Sequence, residues 1–178
     1  MRLSETTLPG AYLLVPDPQR DERGYFARVW SADDLAGCSL NTTWVQSSIS
    51  FNETARTLRG MHYQAAPHGE VKLVRCSSGA VFDVIIDLRE DSPTWGRWFS
   101  VELNAENNLV LYVPEGFAHG FLTLQDRSVV EYHMSESFHP ESARGVRWDD
   151  EAFGIEWPLE PVTMSERDRT CADSGDAR

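Results

Sequence analysis

The sequence predicts an all-β fold, an antiparallel sandwich or barrel with a few short helices. Three observations predict it. Apolar residues recur in many short runs of strand length. Turn signals separate these runs at close intervals, among them Ser78-Gly79, Ser92-Pro93, Glu115-Gly116 and Asp126-Arg127. Clear helix signals are confined to one short segment. Many short strands punctuated in this way form two packed sheets or a closed barrel.

Taken in order, strands are expected over residues 11–15, 25–30, 43–50, 57–63, 71–76, 80–88, 98–103, 109–113, 121–124 and 129–134. Asp17-Pro18 and Arg23-Gly24 mark turns in the first stretch. Residues 31–37 read as a helix. Ser31 suits the N-cap, Asp33 and Asp34 favour the positive helix end, and Gly37 can terminate it. A further short turn is expected over residues 149–153. From Thr170 no core residue remains to anchor the chain. Residues 1–169 are therefore expected to form one domain and residues 170–178 a loose tail.

A chain of 178 residues can bury a substantial core, and its 41% hydrophobic content is ordinary for a globular protein. No apolar run approaches the roughly 18 residues of a membrane span. The first residues, Met1-Arg2-Leu3-Ser4-Glu5, lack the apolar stretch of a signal peptide. A cytoplasmic protein with no membrane partner is expected. Cys38, Cys76 and Cys171 are scattered and contain no CxxC, which supports neither a disulfide framework nor a zinc ribbon. The net charge of -12 works against nucleic-acid binding, which needs basic surface. It leaves room for an anionic small molecule held by a few arginines in one pocket. The sequence has no Gly-rich phosphate loop, GxSxG or HExxH.

Chemistry concentrates in two segments. Leu58-Arg59-Gly60-Met61-His62-Tyr63-Gln64 carries one imidazole, and Pro114-Glu115-Gly116-Phe117-Ala118-His119-Gly120-Phe121 a second. Both resemble the signatures of the cupin barrel. A metal-binding cupin would pair two histidines in the first segment, where this chain has Gln64. His62, Glu70 and His119 still offer three N/O donors. The missing histidine nevertheless favours acid–base chemistry by side chains, with no metal and no cofactor. Alternation places Asp83 and Asp87 on one face with Val81 and Ile85. A carboxylate at Asp83 needs a partner, which a nearby Lys or His would supply, and Lys72 is the obvious candidate. Tyr132 shares a face with Val130 and Met134, so its ring points inward. Strict alternation separates Arg59 from His62, and a bulge at Gly60 would reunite them. His68, His133 and His139 read as surface residues.

Together the motifs resemble those of the dTDP-4-dehydrorhamnose 3,5-epimerase family, over residues 11–168. They are Asp21-Glu22-Arg23-Gly24-Tyr25-Phe26, the two segments above, Lys72-Leu73-Val74-Arg75-Cys76, Gly79 through Arg89, Gly145-Val146-Arg147-Trp148 and Ser165-Glu166-Arg167-Asp168. The resemblance implies a cupin-type jelly roll forming a homodimer, with N-terminal strands contributing to the partner. It implies cofactor-free epimerisation at C3 and C5 of a 4-keto-6-deoxyhexose nucleotide, with dTDP-4-dehydro-6-deoxy-D-glucose giving dTDP-4-dehydro-L-rhamnose. His62 would be the base, supported by Asp168. Tyr132 would be the acid on the other sugar face, and Lys72 would hold the enolate charge. Arg59, Asp83 and His119 would line the pocket. Arg23, Phe26, Gln46 and Phe138 would serve the nucleotide side. Ser48, Phe138 and Arg28 depart from the family's usual asparagine, tyrosine and acidic residue, and all three bear on nucleotide choice. Other readings are a mono-epimerase at C3 or C5, an enzyme for another nucleotide, a metal-dependent cupin, and a sugar-binding cupin without catalysis.

Overall fold

A computed structural model describes residues 1–171. The expected tail beyond Cys171 lies outside the described residues. In chain order the strands are β1 (Arg2–Glu5), β2 (Tyr12–Val15), β3 (Gln19–Asp21), β4 (Gly24–Phe26), β5 (Gln46–Asn52), β6 (Leu58–Gln64), β7 (Lys72–Ser78), β8 (Ala80–Asp87), β9 (Trp98–Asn104), β10 (Val110–Val113), β11 (Phe117–Thr123), β12 (Ser128–Met134) and β13 (Ala143–Gly145). Helix α1 (Ala32–Ala36) lies between β4 and β5, and α2 (Glu166–Arg169) follows β13. The expected all-β jelly roll is observed.

Two antiparallel sheets form the body, one ordered β1-β2-β10-β7-β12-β5 and the other β13-β6-β11-β8-β9, and the hairpin β3-β4 stands apart from both. The sheets stack without closing into a barrel. The core between them gathers inward residues of both, including Val74, Cys76, Val81, Ile85, Leu111, Phe121 and Val130. Each sheet is also covered on its outer side. Val29, Trp30, Leu40 and Trp44 pack over Leu73 and Tyr112, and Trp98 and Trp157 pack over Met61, Val84 and Val146. Burial on both faces explains why β8 reads as an almost unbroken apolar run. No helix of the described residues is long and apolar enough to cross a membrane.

Three strands escaped the sequence reading. β1, β3 and β13 have three or four residues each, too few to show a period. The expected strand at 25–30 shrinks to β4, because Val29 and Trp30 instead cover the outer face of the large sheet. β11 begins at Phe117, ahead of its expected start at Phe121. Helix α1 forms where expected, but its ends differ. Ser31 makes no side-chain cap bond and Gly37 keeps a right-handed helical backbone. The left-handed residue beyond the helix is Ser39, at φ 58°. The turn at 149–153 forms, with Phe153 N–H donating to the Asp150 carbonyl at 3.1 Å.

One irregularity shapes the site. His119 pairs with His62 and Phe121 with Arg59, so three residue steps on β6 face two on β11. Gly60 takes φ 137°, and a side chain there would collide with the Gly120 backbone 2.5 Å away. Only glycine fits both the conformation and the approach. The bulge for which Gly60 gave room brings Arg59 and His62 to one side.

Candidate active site

A cleft of about 610 Å³ opens between the sheets. Strand β5 contributes Ser50, β6 Arg59 and His62, β7 Lys72, β11 His119 and β12 Tyr132. The segment from Thr163 to Asp168 closes one side. It is held there by a parallel bridge between Thr57 and Thr163 and by the bond from Leu58 N–H to the Thr163 carbonyl at 2.8 Å. Ser165 caps α2, with its hydroxyl accepting from the Asp168 amide at 3.1 Å. This fixes Asp168 against β6.

His62 Nε2 lies 2.8 Å from Asp168 Oδ1. The carboxylate is buried, whereas the imidazole keeps 36% of its side-chain surface open to the cleft. Burial pulls the Asp168 carboxyl upward. The bond and charge of His62, the Ser165 bond and the Gly60 backbone outweigh that pull and leave it below the usual carboxylate range. An ionised Asp168 accepting from Nε2–H leaves the Nδ1 lone pair of His62 to take a proton.

Tyr132 supplies the complementary group. Burial first, and the Asp83 charge second, push its phenol well above the ordinary value, against the opposing charge of Arg59. It therefore stays protonated at neutral pH and can donate. Its ring meets His119 edge-on, with centroids 6.1 Å apart. His119 Nε2 in turn lies 2.9 and 3.0 Å from the two Asp83 oxygens.

Asp83 corrects two expectations. It is fully buried and stands behind His119, outside the cleft lining. Its bonded partner is His119, not Lys72. Lys72 reaches Asp83 only by its charge. The Lys72 ammonium is anchored instead by Glu70 at 3.0 Å and the His62 carbonyl at 3.3 Å. Glu70 also accepts from Gln64 at 3.3 Å, so among the described residues the donors His62, Glu70 and His119 do not converge on one point.

Arg59 is steered by Asn52, whose Oδ1 accepts from Nε at 2.7 Å. The remaining expected residues stand outside the cleft lining of this chain. Arg23 and Phe26 lie on the exposed β3-β4 hairpin, Gln46 at the start of β5, and Phe138 in the exposed loop after β12. The sequence reading missed Ser50, Thr57, Thr163, Met164 and Arg167 as lining residues. Only Arg167 carried a signal, from its place beside Asp168. A second cavity of about 570 Å³ lies beyond the opposite face of β6, around Tyr63, Arg89 and Trp95, and lacks the imidazole–phenol pair.

An accessible imidazole anchored by a buried carboxylate, sharing a cleft with a protonated phenol and a fixed ammonium, defines a proton-transfer enzyme on a jelly-roll scaffold. Comparison with known proteins makes this particular. The sequence profile of the dTDP-4-dehydrorhamnose 3,5-epimerase family matches residues 5–174. A curated enzyme of that name from Methanothermobacter thermautotrophicus is 43% identical over 172 residues, covering 94% of this chain and 91% of the relative. The crystal structure of the Bacillus anthracis enzyme, with TDP and PPi bound, superposes with a TM-score of 0.93 at 37% identity and covers 97% of this chain and 98% of that one. A 3'-monoepimerase from Streptomyces bikiniensis in complex with dTDP-quinovose superposes with a TM-score of 0.89 at 30% identity, covering 97% and 87%. The chain belongs to the dTDP-4-dehydrorhamnose 3,5-epimerase family.

Proposed function

We propose that the protein epimerises C3 and C5 of dTDP-4-dehydro-6-deoxy-D-glucose to give dTDP-4-dehydro-L-rhamnose. The observation that carries this reading is the His62–Asp168 pair and the Tyr132 phenol lining one cleft. The C4 keto group acidifies the C–H bonds at C3 and C5. His62 Nδ1 takes such a proton, and Asp168 fixes the tautomer and steadies the imidazolium. The enolate oxygen meets the preorganised charge of Lys72, with Arg59 also in the cleft. Tyr132 returns a proton to the opposite face, and solvent resets both groups. No step calls on a metal or a redox cofactor.

The nucleotide side belongs to a homodimer. β5 is an edge strand with two unlike faces. Gln46, Ser48 and Ser50 share the face that leads to the cleft, while Ile49 and Phe51 on the other are 72% and 45% exposed. Phe26 on the hairpin is 76% exposed. An open edge with such apolar surface favours pairing with a second copy. In that arrangement Arg23 and Phe26 of one protomer reach the partner's nucleotide, beside Gln46 and Phe138. TDP in the Bacillus anthracis relative supports a thymidine nucleotide. Among the described residues no disulfide joins Cys38, Cys76 and Cys171, in keeping with work in the reducing cytoplasm.

The monoepimerase relative makes single-centre epimerisation the second reading. Incubation with dTDP-4-keto-6-deoxyglucose in D2O, followed by NMR, separates the two. Deuterium at both C3 and C5 with inverted product is expected. Exchange confined to one carbon would select the second reading, and exchange at neither would end both.

A further inference from the structure

We propose that His68, Glu136 and His139 form a binding site for one divalent cation of the zinc class, separate from the catalytic cleft. The three side chains come from two loops, His68 from the turn between β6 and β7 and the others from the segment between β12 and β13. Each is half-buried, and one ligating atom from each lies within 4.8 Å of the others. Two imidazoles and a carboxylate are a donor set that zinc takes readily. A tetrahedral zinc with donors at about 2 Å holds them about 3.3 Å apart. Rotation of the three side chains, with opening of the His68–His139 stack, closes the difference.

The two nitrogens of His139 are already divided between roles. Nδ1 lies 3.2 Å from Glu141 Oε1, and Nε2 lies 3.6 Å from Glu136 Oε1. A carboxylate on the far nitrogen is the outer partner that orients a metal-bound histidine and fixes its tautomer. Nε2 is then the donor to the ion. The His68 and His139 rings stack with centroids 3.5 Å apart and planes 6° apart, so His68 is held within reach of the same point. Imidazole lone pairs lie in the ring planes, so the near-parallel rings must open from this stack before both nitrogens meet one ion.

The ion would tie the two loops together. His139 N–H already donates to Gln64 Oε1 at 2.6 Å, and Gln64 Nε2 donates to the Ser137 carbonyl at 3.0 Å. Phe138 sits between those two anchors. If Phe138 serves the nucleotide, as the proposed function has it, the ion positions that ring and takes no part in proton transfer. The site's existence does not depend on that reading.

The test uses untagged, chelator-stripped full-length protein titrated with zinc chloride by calorimetry. About one equivalent per chain is expected in the wild type, with affinity at least tenfold weaker in both His68→Ala and Glu136→Gln. A zinc-dependent rise in Tm should appear in the wild type and vanish in the variants. Neither residue lines the catalytic cleft, so deuterium exchange into saturating keto-sugar by the metal-free proteins serves as a folding control for both. No saturable zinc binding by the wild type, or equal affinity in all three proteins, would overturn the proposal. Failure of exchange in the wild type would instead overturn the proposed function and leave the zinc titration readable.

Discussion

His62 and His119 are direct cross-strand partners on β6 and β11, each bonded to an aspartate, yet their surroundings oppose each other. The His62 ring is 36% open and its Asp168 carboxyl is held low. His119 is buried and its Asp83 carboxyl is raised, by burial first, against the lowering charges of His119 and Lys72. A base must meet substrate while its carboxylate stays ionised, and only the first pair satisfies both. The second pair is almost sealed, with only 4% of the His119 side chain open where it lines the cleft. It builds the wall against which Tyr132 packs, and the Asp83 charge helps keep that phenol protonated. Identical residue types paired directly across two strands thus differ in the exposure of the imidazole and in the bonds that hold the carboxylate.

Substitution of the two aspartates should expose this difference. Asp168→Asn should lower kcat about 10²–10⁴-fold with little change in KM, because the tautomer and the imidazolium lose their anchor. Asp83→Asn should affect kcat far less. Steady-state kinetics showing the larger loss in Asp83→Asn would invert the comparison. Stability should follow the opposite order. Asp83→Ala strands a buried imidazole and should cost about 3 kcal/mol in chemical denaturation, and Asp168→Ala clearly less.

A third buried carboxylate sharpens the electrostatic side. Burial pulls Asp87 upward, but bonds from Arg89, Ser92 and Thr94 more than offset it and bring the carboxyl from 3.8 down to about 2. A depressed carboxyl stabilises the fold above its unfolded value, and that contribution disappears as pH falls through the folded one. Asp87→Asn should therefore be about 2 kcal/mol less stable than wild type at pH 7. The difference should shrink between about pH 4 and pH 2. Asp168 acts in the same sense. Asp83 acts in the opposite one, since its raised carboxyl favours the fold at low pH and loses that advantage as pH rises through its folded value. A gap for Asp87→Asn that stays constant from pH 7 to pH 2 would contradict the assignment. The smallest effect concerns the nucleotide side. Arg23 is 85% exposed and stands outside the cleft lining, so Arg23→Ala should raise KM about tenfold with kcat nearly intact. An unchanged KM would remove Arg23 from substrate binding.

Alternation made most strands legible, because each sheet repeats one inward face. It failed for β1, β3 and β13, where three or four residues cannot show a period, and at Val29 and Trp30, which bury against the outside of a sheet rather than inside one. In the site, Tyr132 was legible from its strand face and the reunion of Arg59 with His62 from Gly60. The His62–Asp168 bond joins residues 106 positions apart, and nothing in periodicity announces it. The Ser165-Glu166-Arg167-Asp168 motif supplied it. Asp83 was read correctly as buried and needing a partner, but His119 holds it where Lys72 was expected, because Glu70 takes the ammonium. His68 and His139 were read as surface residues, since turn residues flank them. Their stacking depends on two loops meeting in space.

The division of labour between base and acid is tested most directly by proton exchange rather than turnover, which would fall in either variant. Wild type, His62→Asn and Tyr132→Phe are incubated with dTDP-4-keto-6-deoxyglucose in D2O, and C3 and C5 are followed by NMR. With His62 replaced, deuterium should enter at neither carbon. With Tyr132 replaced, His62 can still take a proton and return a deuteron to the same face, so exchange without inversion should persist at one or both carbons. Wild-type exchange by His62→Asn, or normal epimerisation at both centres by Tyr132→Phe, would contradict the account.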